Sequence, residues 1–218
     1  MSRIINQIVT CACCGSKVSI DRVLSFSYDK IGLSGNKHTS MQYMMEECPE
    51  CHYTSLDIED KSVRVSRGML NAFRMKPETE TINDPTFTAL LKAADIYGKN
   101  KDYRHYEHVL RLASFYAEEL QEAGIFRELL RQSNEALQSY FESKDKFDIS
   151  DLMLAIKLID GNRRLGMVTT AGNLCSEFLD LLEDVNSEEI SEIRCLVEFE
   201  NTLLNNRDTA EHLISEVL

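Results

Sequence analysis

A chain of 218 residues with 43% hydrophobic and 28% charged side chains has the composition of one or two globular domains, which excludes general disorder. The formal net charge of −12 divides into 6 basic against 8 acidic residues through Lys61 and 18 against 28 beyond it. Neither part has the clustered Lys and Arg that a phosphate backbone demands, and no run approaches the roughly 20 apolar residues that span a bilayer, so nucleic-acid and membrane partners are disfavoured.

The opening MSRIINQIVTCACC lacks the longer apolar segment and small-residue cleavage site of a signal peptide. The expected location is cytoplasmic, where thiols persist and paired CxxC motifs bind metal more often than they form disulfides. Three of the seven cysteines lie in CACCG, Cys11 to Gly15. Cys11 and Cys14 form one CxxC; Cys48 and Cys51, within CPECH, form a second. Each pair suits a tight turn that aims two thiolates at one ion, and four thiolates around Zn²⁺ make a closed tetrahedral site of the structural kind. Gly15 lets the first turn fold back and point amide N–H groups at sulfur. Pro49 stiffens the second turn, while His52 stands where glycine is expected.

The spacing predicts one structural zinc held by Cys11, Cys14, Cys48 and Cys51, with Cys13 spare. Cys13 in place of Cys11, or His38 or His52 as a ligand, is the alternative. The 33 residues between Cys14 and Cys48 exceed the common spacing of about 15 to 20, so a long hairpin has to join the two turns. Within it, Leu24 to Tyr28 alternates like a half-buried strand, Gly32 to Ser40 has turn residues, and MQYMMEE and Tyr53 to Ile58 are further strand candidates. These strands are too few for a large core. A structural zinc contributes on the order of 10 to 16 kcal/mol to folding and replaces that core.

From about Pro85 the hydrophobic period becomes helical, with Val109, Leu112, Ala113 and Tyr116 on one face and Leu129, Leu130, Leu137 and Phe141 on the next. A break is expected at Gly161 and a helix from Val168 to Leu182; another helix starts near Asn186, with Ser187 as N-cap, and a last break falls at Asn205 to Asp208. Turns at Gly98, Gly161 and Asn205 give no regular repeat of about 34 residues. The fold predicted is mainly α: a small N-terminal β zinc ribbon with a long hairpin (1–61), a connecting segment (62–84), and a tetratricopeptide-like helical solenoid of antiparallel pairs (85–218). In that arrangement Cys51→Ser unfolds the ribbon and leaves the helical signal mostly intact.

The order CxxCG, long hairpin, CPxC, then helices containing VLRLASFYAEE and LIDGNRRLG resembles an uncharacterised bacterial family, domain of unknown function 2225. The resemblance implies a zinc ribbon followed by tetratricopeptide-like helices, with the same four cysteines as ligands. It implies no activity.

No catalytic constellation is visible: His105 and His108, beside Glu107, lack the further ligand of HExxH, and neither GxxxxGK[ST] nor GxGxxG occurs. Cys175 and Cys195 read as small hydrophobes in packed helices. Tyr97, Tyr103, Tyr106, Phe115 and Tyr116 are core residues or the lining of a groove. The functional expectation is a non-catalytic adaptor that binds a protein or peptide. The alternatives are a nucleic-acid-associated regulator, for which Arg3, Lys17, Arg22, Lys30 and Lys37 have to gather on one face, and a redox sensor acting through Cys13 at low pKa.

Overall fold

The computed structural model describes residues 3–25, 28–33, 35–38, 44–74, 82–144, 148–182 and 188–218. These residues form six short strands followed by seven helices: β1 (Arg3–Thr10), β2 (Lys17–Ser25), β3 (Tyr28–Gly32), β4 (Gly35–His38), β5 (Glu46–Glu47) and β6 (Thr54–Ser55), then α1 (Arg67–Arg74), α2 (Pro85–Asn100), α3 (Tyr103–Glu119), α4 (Ala123–Glu142), α5 (Ile149–Arg164), α6 (Val168–Leu182) and α7 (Glu188–Asn205). The fold is mainly α with a small antiparallel N-terminal β region, as the sequence predicts.

The strand β1 was not anticipated, although RIINQIVT has the pattern of one. Ile5, Gln7 and Val9 turn inward while Ile4, Asn6 and Ile8 face out. It pairs with β2 in the register Val9↔Val18 and Thr10↔Lys17. The candidate strand at Leu24 to Tyr28 is the end of β2 and the start of β3, and residues 26–27 lie outside the described set. Of MQYMMEE only Glu46–Glu47 is strand, paired as Glu46↔Ser55, and residues 41–43 are again outside the description.

Helix α2 begins at Pro85 because Asp84 caps it, accepting hydrogen bonds from the N–H groups of Thr86 (2.7 Å) and Phe87 (3.0 Å). It does not end at Gly98. The left-handed turn falls at Lys101 (φ 57°), and Gly98 lies within the helix facing the Tyr106 ring. Gly161 likewise does not break α5, which runs on to Arg164 before a turn at Gly166 (φ 77°). A Cβ at Gly161 would lie 2.8 Å from Asn134 Nδ2 and closer still to its Oδ1. Both glycines were read as punctuation; both instead admit a neighbouring side chain. The expected Val168 to Leu182 helix is α6. The Ser187 cap lies outside the described residues.

The chain divides into two compact units, Met1–Ser27 with His38–Leu129, and Tyr28–Lys37 with Leu130–Leu218. In the first, a single apolar core joins Val9, Val18, Tyr53 and Ile58 of the β region to Phe87, Leu90, Ala93 and Val109 of α2 and α3. In the second, α5 packs against both α6 and α7 around Ile156, Ile159, Ala171, Ile193 and Val197. Leu33, between β3 and β4, is buried in that same core, and its N–H donates to the His212 carbonyl (3.0 Å). No described helix is long and apolar enough to cross a membrane.

Candidate metal centre and helical groove

The two cysteine turns repeat one backbone geometry. After β1, Cys11 N–H donates to the Ser16 carbonyl (3.0 Å) and Gly15 N–H donates to the Cys11 carbonyl (2.8 Å). After β5, Cys48 N–H donates to the Tyr53 carbonyl (2.9 Å) and His52 N–H donates to the Cys48 carbonyl (2.8 Å). Gly15 (φ 75°) and His52 (φ 61°) occupy the same left-handed position. His52 therefore serves the backbone role of the expected glycine. Its Nδ1 lies 2.9 Å from Glu47 Oε1, and it is not one of the clustered donors.

A partly buried ionic fork braces the turns. Arg22 of β2 donates through Nε to Glu46 Oε1 (2.6 Å) and through Nη2 to Glu46 Oε2 (2.9 Å). Glu46, 7% exposed, also accepts from Ile58 N–H (3.0 Å), and the Ile58 carbonyl accepts from Ala12 N–H (2.7 Å). A chain of bonds thus runs from the second turn to the first. From α2, Lys92 reaches Glu47 (3.2 Å) and the Tyr97 hydroxyl accepts from Leu56 N–H (3.2 Å). None of these braces was anticipated, since nothing in the spacing marks Glu46 as the partner of Arg22.

The Sγ atoms of Cys11, Cys14, Cys48 and Cys51 all lie within 4.8 Å of one another. Two edges measure 3.7 Å (Cys11 to Cys51) and 3.8 Å (Cys14 to Cys48). A tetrahedron with metal–sulfur bonds of about 2.3 Å has edges of about 3.8 Å. The donor set and its dimensions therefore fit a four-thiolate metal ion. Cys13, half-buried against the core, is outside the cluster.

Electrostatics distinguish the thiols. Ser16, through its hydroxyl and its backbone, holds the exposed Cys14 down at about 6, whereas burial pushes Cys11 and Cys51 up. Burial also raises Cys13, opposite to the shift that makes a thiol reactive. A divalent cation would offset the burial that raises Cys11 and Cys51.

No family model, curated protein or solved structure matches the chain.

The other singled-out residues have structural partners. His105 Nδ1 lies 2.7 Å from Asp102, the side-chain cap of α3, and its ring stacks on Tyr97 at 5.2 Å. Asp102 raises His105 above the usual imidazole range. Cys175 is buried, its thiol pushed up to about 12 by that burial. Cys195 is exposed, contrary to its reading as a packed hydrophobe. Tyr97 and Phe115 are core residues. A cavity of about 640 Å³ lies instead in the second unit, between α4, α5 and α6. Buried Ala155, Leu158 and Ile159 line it, with half-buried Phe141, Leu174 and Phe178, and exposed Glu135, Gln138, Glu142 and Glu177 mark its rim.

Proposed function

We propose that the protein is a zinc-stabilised, non-catalytic interaction module: one Zn²⁺ on Cys11, Cys14, Cys48 and Cys51 makes the β region a zinc ribbon, and the helices bind a segment of another protein. The observation that carries the binding half is the cavity between α4, α5 and α6, whose lining is mostly apolar, with Asn134, Asp151 and Asn162 as its buried polar groups. The four sulfurs at tetrahedral spacing carry the zinc half. Seven unpaired cysteines suit a reducing compartment such as a bacterial cytoplasm.

Several polar groups that elsewhere perform chemistry are here saturated. Asp151, on the cavity wall, accepts from Tyr140 Oη (2.7 Å), Lys144 Nζ (2.6 Å) and Asp148 N–H (2.8 Å). Arg22, required for the nucleic-acid alternative, is engaged by Glu46, Asp57 and Glu59. The raised Cys13 weighs against the redox alternative. The packing of α2 on α3 and of α5 on α6 supports a tetratricopeptide-like reading of the helices.

Two measurements test the reading. Purified protein should contain one zinc per chain, with four thiols becoming reactive only after chelation; disulfides or a metal-free chain would sink the zinc half. A photo-crosslinking amino acid at Gln138, on the groove rim, should capture a discrete protein in cells, while the same group at exposed Glu198 of α7 should not. Equal labelling from both positions would remove the groove from the function.

A further inference from the structure

The chemistry of the groove narrows what it can hold. Phe141 from α4, Leu158 from α5 and Leu174 and Phe178 from α6 converge on it. On α6, Leu181 stands 65% exposed beside them. Such a concave apolar surface gains by excluding water from bulky aliphatic or aromatic side chains. The walls are helices, so an extended segment would meet no strand edge there. On a lining this apolar, with side chains such as Gln138 and Asn162 as the few polar exceptions, most of its backbone N–H and C=O groups would lack partners, at a cost of about 1 to 3 kcal/mol for each group left unsatisfied. A helix satisfies its own backbone and avoids that penalty.

The rim supplies a second, independent restriction. The ionisable groups lining the groove are Arg131, Glu135, Glu142, Asp151 and Glu177. Arg131 pairs with Glu135, and Asp151 is held by Lys144. Glu142 on α4 and Glu177 on α6 are both exposed and have no ion-pair partner among the described residues. Two exposed carboxylates, without an ion-pair partner among the described residues, therefore line an apolar groove from two of its helices, in a part of the chain with 18 basic and 28 acidic residues beyond Lys61. An acidic partner would be repelled there; a basic one is steered in and can pair with the two exposed carboxylates.

We propose that this groove docks an amphipathic helix of a partner protein, one that inserts large apolar side chains spaced i, i+3, i+4 and i+7 and carries Lys or Arg at its margins, opposite Glu142 and Glu177. The inference rests on the interaction-module reading and specifies the partner. Affinity comes from the apolar face. Orientation and encounter rate come from the charges.

The test uses the full zinc-loaded chain and a fluorescein-labelled synthetic peptide of about 16 residues, helical by design, with leucines on one face and lysines at its margins. Binding is read by anisotropy. One control carries Glu in place of each Lys; a second keeps the composition but scatters the leucines around the helix. The Lys peptide should bind at least about tenfold more tightly than either control and weaken several-fold between about 50 and 300 mM salt. The double variant Glu142→Lys/Glu177→Lys changes only exposed side chains. It should weaken the Lys peptide about tenfold and strengthen the Glu peptide. Phe178→Ala, with its far-UV spectrum checked against the parent, should weaken both.

Equal binding of the scattered-leucine peptide, or indifference to Glu142→Lys/Glu177→Lys, overturns the proposal. So does a concentration-dependent dimer in sedimentation that the double variant dissociates, because the groove then belongs to a second copy. If the Gln138 crosslink captures a protein while the Lys peptide fails, the module reading stands and the helix chemistry falls. If both fail, the reading beneath it falls too.

Discussion

Glu200 Oε2 accepts from Arg163 Nε at 2.8 Å, while its other oxygen, Oε1, is buried without a hydrogen-bond donor; Asp160 Oδ2, on the same arginine's other carboxylate partner, is in the same condition. Arg163 makes further bonds, its Nη1 donating to the carbonyls of Asp208 (2.7 Å) and Ala210 (2.9 Å). Two carboxylates and one guanidinium in a dry interior leave one negative charge in excess. A proton on Glu200, donated towards Asp160, removes that charge and gives both orphaned oxygens a partner. Burial first, and then the nearby Asp160, push the Glu200 carboxyl up to about 9.

The pH dependence follows from that proton. With its carboxyl raised from about 4.5 to about 9 by burial, Glu200 takes up a proton on folding between those values. Its contribution is complete below about pH 4 and is lost as pH rises towards 9. Glu200→Gln keeps a neutral donor of the same shape. It should change stability at pH 7 by no more than about 1 kcal/mol and flatten the decline between pH 6 and 9 in urea titrations. A loss of about 3 to 5 kcal/mol at pH 7 would instead mean that Glu200 is ionised and that Arg163 needs its charge.

Metal removal should reach further than the β region. Because Tyr53 and Ile58 share one core with Phe87, Leu90 and Val109, Cys51→Ser or chelation should expose α2 and α3 as well as the strands. The expectation of an intact helical signal gives way to a partial loss. Hydrogen exchange of the chelated protein should show fast amides through Pro85–Glu119 and slow ones in α5 to α7. Retained protection in α2 and α3 would mean that the helices carry that core without the metal.

The left-handed residues at the two turns make opposite predictions. Gly15→Ala imposes a Cβ on φ 75° and should cost about 1 kcal/mol in thermal unfolding. His52→Gly relieves strain of about 1 to 2 kcal/mol and gives up an exposed pair with Glu47 worth under about 1 kcal/mol. It should therefore raise the chelator concentration needed to strip the metal. A lower concentration would show that the His52 to Glu47 contact matters more than the backbone.

Close packing at Gly161 can be tested by a double-mutant cycle. Gly161→Ala drives a Cβ into the Asn134 side chain and should cost about 2 to 3 kcal/mol. Adding Asn134→Ala vacates that space, so the pair should be less destabilised than the sum of the single changes by more than about 1 kcal/mol. Additive losses would place the strain elsewhere.

The sequence by itself determined the cysteine cluster and the mainly helical character, because both depend on short-range information: CxxC spacing within one turn, and apolar residues recurring with the helical period. It also marked Pro85 and the span of α6 correctly, since caps and periodicity act locally. Gly98 and Gly161 misled for the same reason. Locally a glycine reads as a stop, and only the packing of Tyr106 and Asn134 reveals that each leaves room for a neighbour. Tertiary structure alone decided that Glu46 answers Arg22, that Leu33 joins the core of α5 to α7, and that the apolar faces of α4, α5 and α6 leave a groove rimmed by Glu142 and Glu177. These depend on which distant segments meet, and burial energy is indifferent to sequence separation.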